Sequence, residues 1–210
     1  MPVWQELREE LQGKNFEVIT VGCDVKGAAA EEQWIRAANP THPSLIDERH
    51  LVPELYNTRN VPTTVWINEE GQIVRFDEGI YLRRRNRETG EFTVTERYLN
   101  ALRDWAAKGS ASGYVLSAEE AQARLRQPAT EDAQATVHFR LGAYLVQQGH
   151  AAEAVAHFKQ AHALKPENWN MKRQAFNLGN PEQDYGTTMQ QETQIRPSYV
   201  PLDMPALPEA

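Results

Sequence analysis

Apolar residues recur along this chain with two different periods, and the changes of period mark its elements. Trp4, Leu7 and Leu11 fall at helical spacing and predict an opening helix that Gly13 stops. The apolar run from Phe16 through Val21 to Cys23 and Asp24 predicts a buried strand. Thr63 to Asn68 and Gln72 to Phe76 predict an antiparallel hairpin, with the turn at Glu70-Gly71. The helical period returns at Tyr98, Leu99, Leu102, Trp105 and Ala106, in a helix that Thr93-Val94-Thr95-Glu96 would open with a capping box and Gly109 would end.

Past this helix the chain is small and polar from Lys108 to Gly113, a composition that predicts a linker. Ser117-Ala118-Glu119-Glu120 predicts another capped helix, to about Arg126. From Ala135 to Asn168, Leu141, Gly142, Leu145, Gly149, Ala154, Phe158, Ala161 and Pro166 stand at the spacings of one tetratricopeptide repeat, a helical pair of about 34 residues. A lone repeat cannot bury both its faces, so the helix from Ser117 and one from Glu167 to Phe176, with Trp169 and Phe176 inward, are expected to cover it. Beyond Gly179 the period is lost and Pro181, Pro197, Pro201, Pro205 and Pro208 predict an extended or disordered tail, which Tyr185, Tyr199 and Leu202 would pin to a surface.

The resulting organisation is an α/β domain over 1–108, a linker over 109–116, a small all-α tetratricopeptide-like domain over 117–178, and a tail over 179–210. At 210 residues and 40% apolar composition the chain is long enough for one medium domain and a small one. Its net charge of −7 argues against a nucleic-acid partner. One cysteine excludes an internal disulfide framework, and no run of about 18 apolar residues is present to span a membrane. No signal peptide begins at Met1, so the default expectation is a soluble, cytoplasmic protein.

Several ordered pieces resemble the thioredoxin-like redoxin family. They are the run Phe16–Asp24, the element Ser44-Leu45-Ile46-Asp47, the pair Leu55-Tyr56, and the stretch Asn60-Val61-Pro62-Thr63-Thr64-Val65-Trp66-Ile67-Asn68-Glu69-Glu70-Gly71-Gln72-Ile73-Val74. The last stretch is similar to the family's "V-P-T-T-x-x-I-x-x-x-G-x-I-V". The resemblance implies a thioredoxin-like sheet with flanking helices, a cis bond before Pro62, and a partner-docking wall at Val61, Pro62 and Thr63. It implies thiol-disulfide or peroxide chemistry on a protein thiol or disulfide partner, with no cofactor or metal. The family carries its reactive cysteines at the start of the first core helix, where amides and the helix dipole favour a thiolate. Here the chain opens inside that helix. The first strand and the cysteine turn are expected to precede Met1 in a longer natural form, which would leave export or anchoring open.

Two function classes follow: a redoxin that is inactive as written, or a non-catalytic interaction module that uses the redoxin groove and the helical repeat. Cys23 is read as a small core residue, with a lone redox thiol as the alternative. The cluster Arg83, Arg84, Arg85 and Arg87 is read as a solvated loop, the alternative being a surface for an anionic partner. His138, His157 and His162 have no Cys or carboxylate at ligand spacing and are read as packing or surface residues. The missing first strand predicts an unpaired sheet edge, hence self-association.

Overall fold

The computed structural model describes residues 2–79, 82–85, 89, 92–195 and 202–205, and the chain is a mixed α/β protein. Helix α1 (Pro2–Glu10) buries Val3 and Leu7, with Leu11 continuing the stripe just past its end. Of the strand expected over Phe16–Asp24, only β1 (Thr20–Gly22) forms, because only there does a neighbour run alongside. That neighbour is β2 (Ser44–Ile46), parallel to β1 with Thr20 opposite Ser44 and Gly22 opposite Ile46. Phe16 lies outside the ladder and turns its ring edge-on to Trp105 at 6.3 Å. The crossover between the strands contains α2 (Ala28–Ala38), which Asn39 stops in the left-handed region. A short α3 (Leu51–Leu55) follows β2.

The predicted hairpin forms as β3 (Thr63–Ile67) and β4 (Ile73–Glu78), with an irregularity between Trp66 and Ile67. Gly71 takes φ +78° in its turn, a conformation that side chains with a Cβ resist. The Val61–Pro62 bond is cis. Among the described residues the strands pair two by two, β1 with β2, β3 with β4, and β5 (Arg83–Arg85) with β6 (Phe92–Val94). The last pair corrects the arginine loop: Arg83, Arg84 and Arg85 run antiparallel to Val94, Thr93 and Phe92. Arg87 and Gly90 lie outside the described residues.

Helix α4 (Glu96–Lys108) starts without the expected capping box. Thr93 and Val94 are committed to the ladder with Arg84 and Arg83, so neither can cap a helix. Thr95 instead donates its amide to Leu82, and Glu96 bonds Arg103. Its apolar face is the expected one. Tyr98, Leu99 and Leu102 are buried with Val3, Leu7, Leu11 and Trp66, while Trp105 stacks on Trp66 at 4.9 Å. Trp66 donates its indole N–H to the Tyr98 hydroxyl at 3.0 Å, satisfying a donor that burial would otherwise strand.

The glycine-rich stretch after α4 packs against this core. Ser112 donates to Asp104 at 2.7 Å, Tyr114 is buried in the α1–α4 cluster, and Leu116 donates its amide to Val74. Helix α5 (Ala118–Leu125) carries the predicted capping box between Ser117 and Glu120 and lies on β4. Next come α6 (Thr130–Gln147), α7 (Ala151–Leu164) and α8 (Trp169–Leu178). Contacts between α6 and the α7 strip pair residue 132 with 165, 138 with 157 and 142 with 158, so the helices are antiparallel. Ala135, Phe139, Ala143, Ala154, Phe158 and Ala161 fill the space between them, and Met171 and Ala175 close it from α8. Trp169 and Phe176 are buried, as expected.

The expected unstructured tail is corrected by α9 (Pro181–Tyr185) and α10 (Met189–Ile195). Pro181 occupies the first helical position, where its missing N–H costs nothing, and the Asn180 side chain caps the turn. Tyr185 stacks on Phe176 at 4.8 Å, and Glu192 pairs with Lys172 at 2.8 Å. Residues 202–205 return to the first core, where Met204 is buried and Leu202 partly so. Tyr199 lies outside the described residues.

Candidate functional site

The residues expected to form the docking wall end a loop that starts at Asn57. Pro62 is exposed at its tip. Val61 is held on both sides of its backbone: its N–H donates to the Asn60 side chain at 3.0 Å, and its carbonyl accepts from the Arg173 guanidinium of α8 at 3.0 Å. The Pro62 carbonyl accepts from the Gly79 amide, and the Thr63 hydroxyl donates to the Asn60 carbonyl at 2.6 Å. An incoming extended segment therefore meets an exposed ring and a backbone already bonded within the chain.

Cys23 directly follows β1 and is half-buried. Its thiol makes a long contact of 3.8 Å to the Val21 carbonyl. Burial, then the nearby carboxylates Asp47 and Glu31, push the thiol up to about 12, where a thiolate is scarce at neutral pH. The backbone around it is tied to α8, since Gln174 donates to the Cys23 carbonyl at 3.2 Å and accepts from the Val25 amide at 3.3 Å. Arg173 and Gln174, adjacent in sequence, thus hold Val61 and Cys23 respectively.

These two contacts belong to a longer polar seam between the α/β part and the helices. Lys165 is buried, donates to the Asn57 side chain at 2.6 Å and pairs with Asp132 at 2.9 Å. Asn168 donates to the Thr58 carbonyl at 3.4 Å, and the Asn170 amide donates to the Arg59 carbonyl at 3.0 Å. Glu78 accepts from the Arg59 amide at 2.6 Å and from Arg126 at 2.7 Å. His50 is buried against Phe139, and burial lowers its imidazole below the ordinary range although Asp47 and Asp24 oppose the shift. Sequence reading missed this seam. Its visible signal was the density of amide side chains in Asn57, Asn60, Asn168, Asn170 and Gln174, polar residues that sit beside apolar helix positions.

A second buried polar group anchors β4. Asp77 accepts from Arg75 at 2.6 Å and from Arg124 at 2.7 Å, and Arg75 reaches the carbonyls of Tyr114 and Asp203 at 2.9 and 2.5 Å. Every one of these groups is spent on another, which suits a structural clamp joining α5 and residues 202–205 to the hairpin.

Among the described residues no group of three His, Cys, Asp or Glu is arranged to hold a metal ion, and no helix is long and apolar enough to cross a membrane. Of the three helical histidines, His162 is packed against Phe176 and Tyr185, whereas His138 and His157 face one another. Comparison with protein-family models, with curated proteins and with solved structures finds no match to this chain.

Proposed function

We propose that this chain is a thioredoxin-like redoxin unit without a working thiol, joined to a tetratricopeptide-like helical pair, and that it acts by docking a protein partner beside Pro62. The observation that carries this reading is the state of Cys23. Family chemistry requires a thiolate that attacks a disulfide or a peroxide, and attack depends on the fraction of sulfur ionised. Cys23 is the sole cysteine of the 210 residues, and burial together with Asp47 and Glu31 holds it protonated. It directly follows β1, and the carboxylate it meets in the first turn of α2, Glu31, opposes its anion.

Docking is supported by the exposed Pro62 ring on a loop that the polar seam makes rigid. A preformed loop loses little entropy when it binds, so its contacts go to affinity. The partner class is a protein segment in extended form. The Val61 carbonyl, now bonded to Arg173, is the acceptor such a segment would compete for.

An array of unstructured peptides probed with the full chain tests this. Wild-type protein is expected to retain a subset of peptides, Pro62→Asp to lose them, and Arg173→Ala to bind them more tightly by freeing the Val61 carbonyl. Retention that Pro62→Asp leaves unchanged, or no retained peptide with either wild type or Arg173→Ala, would contradict the proposal.

A further inference from the structure

The antiparallel pair α6–α7 brings together two histidines that stand nineteen positions apart in sequence. His138 of α6 and His157 of α7 face each other with Nδ1 atoms 3.0 Å apart and rings inclined by 30°. Each directly precedes a buried phenylalanine, Phe139 or Phe158, and Ala135, Ala154 and Ala161 are buried beside them. The core therefore fixes the backbone under both rings, and both rings remain partly open to solvent.

At this separation one neutral imidazole donates its Nδ1–H and the other accepts with its lone pair. Once the donor ring shifts its proton from Nδ1 to Nε2, both Nδ1 lone pairs face the space between the rings. Imidazole nitrogens bind first-row metals at about 2.0–2.1 Å, so two neighbouring ligand nitrogens stand about 3.0 Å apart at a right angle and about 3.4 Å apart in a tetrahedron. The observed distance falls at the right-angled end. That angle belongs to square-planar and octahedral ions, and the Irving–Williams order favours copper(II) and nickel(II) for nitrogen donors.

We infer that His138 and His157 form a two-histidine site for a divalent transition-metal ion of copper or nickel character. On binding, the donor ring changes tautomer, its proton passing through solvent from Nδ1 to Nε2, so that both rings stay neutral; each Nδ1 lone pair is then donated to the ion, with no change of oxidation state. Among the described residues no third His, Cys, Asp or Glu completes the set, so water fills the remaining positions. An ion held this way ties α6 to α7 at mid-helix, independently of any partner at Pro62.

The test is calorimetric titration of the untagged full chain with nickel chloride in a buffer that does not chelate. Wild type is expected to bind one ion per chain, and His138→Ala and His157→Ala are each expected to weaken binding at least about tenfold. His150→Ala, which removes an exposed ring paired with Glu153, should bind as wild type does. His138→Gln and His157→Gln, which keep polar side chains, repeat the comparison if an alanine variant loses helical circular dichroism. Absence of one-to-one binding by wild type, or a loss smaller than tenfold in the folded variant at either position, overturns the inference.

Discussion

His162 shows how one buried side chain sets a pH response. Its ring lies 6.1 Å from Phe176 and 5.6 Å from Tyr185, and burial, helped by the positive charge of Lys172, lowers its imidazole to about 4. The unfolded chain takes up a proton near pH 6.5, whereas the folded chain refuses it until about pH 4. The neutral ring thus contributes stability that is complete above pH 6.5 and is lost as pH falls towards 4, by roughly 2 to 3 kcal/mol. Chemical denaturation at pH 7 and pH 4.5 should show that loss in wild type and a smaller one in His162→Gln; equal losses would contradict it. Cys23 obeys the same physics with the opposite sign of charge: burial and two carboxylates oppose its anion, so the proton stays.

At the scale of elements, the α6–α7 contact depends on one missing methyl group. A Cβ at Gly142 would stand 2.7 Å from the Phe158 ring, which is itself buried against Phe139. Alanine would gain about 1 kcal/mol of helix propensity, but overpacking a filled core costs about 1 to 3 kcal/mol. Phe158 is buried with Phe139 and Ala154, so the clash should outweigh the propensity gain and Gly142→Ala should lower stability by about 1 kcal/mol. Thermal unfolding checks this, and the loss should shrink in a Phe158→Leu background, where the ring is gone; an equal loss in both backgrounds would show that Phe158 is not the obstacle.

Helix faces were legible in the sequence because the 3.6-residue period is a local signal. Leu7 on α1, Leu102 on α4 and Phe158 on α7 all lie where that period places them. Strand extent was not, because a ladder exists only where a second strand lies alongside: Phe16 to Ile19 read as strand but have no ladder partner. Capping at Thr93 failed for the same reason, since the residue was claimed by pairing with Arg84. The tail was misread because proline was weighed only as a breaker, although Pro181 after Asn180 is a helix start. In the candidate site, the place of Pro62 just before a strand was readable from the chain, but Arg173 on Val61 spans 112 positions and leaves no local trace.

On the scale of the whole molecule, the seam from Asn57 to Cys23 ties the α/β part to the helices. Lys165 is its most buried charge, bonded to Asn57 on one side and Asp132 on the other. Lys165→Met keeps the volume but leaves Asp132 without its cation, which should cost about 2 to 3 kcal/mol. Trp4, Trp66 and Trp105 all sit in or against the first core, whereas the second is built from helices, so fluorescence and circular dichroism together follow both parts. The transitions are expected to coincide in wild type, and two separated transitions would mean that the seam does not couple the parts.

Docking without thiol chemistry, as proposed, leaves Cys23 no part in disulfide reduction. The decisive assay is reduction of insulin disulfides by the purified full chain, with dithiothreitol as electron source. Insulin is expected to precipitate at the rate of dithiothreitol alone, with wild type and Cys23→Ser alike. Acceleration by wild type that Cys23→Ser abolishes would show a working thiolate at Cys23 and overturn the proposal.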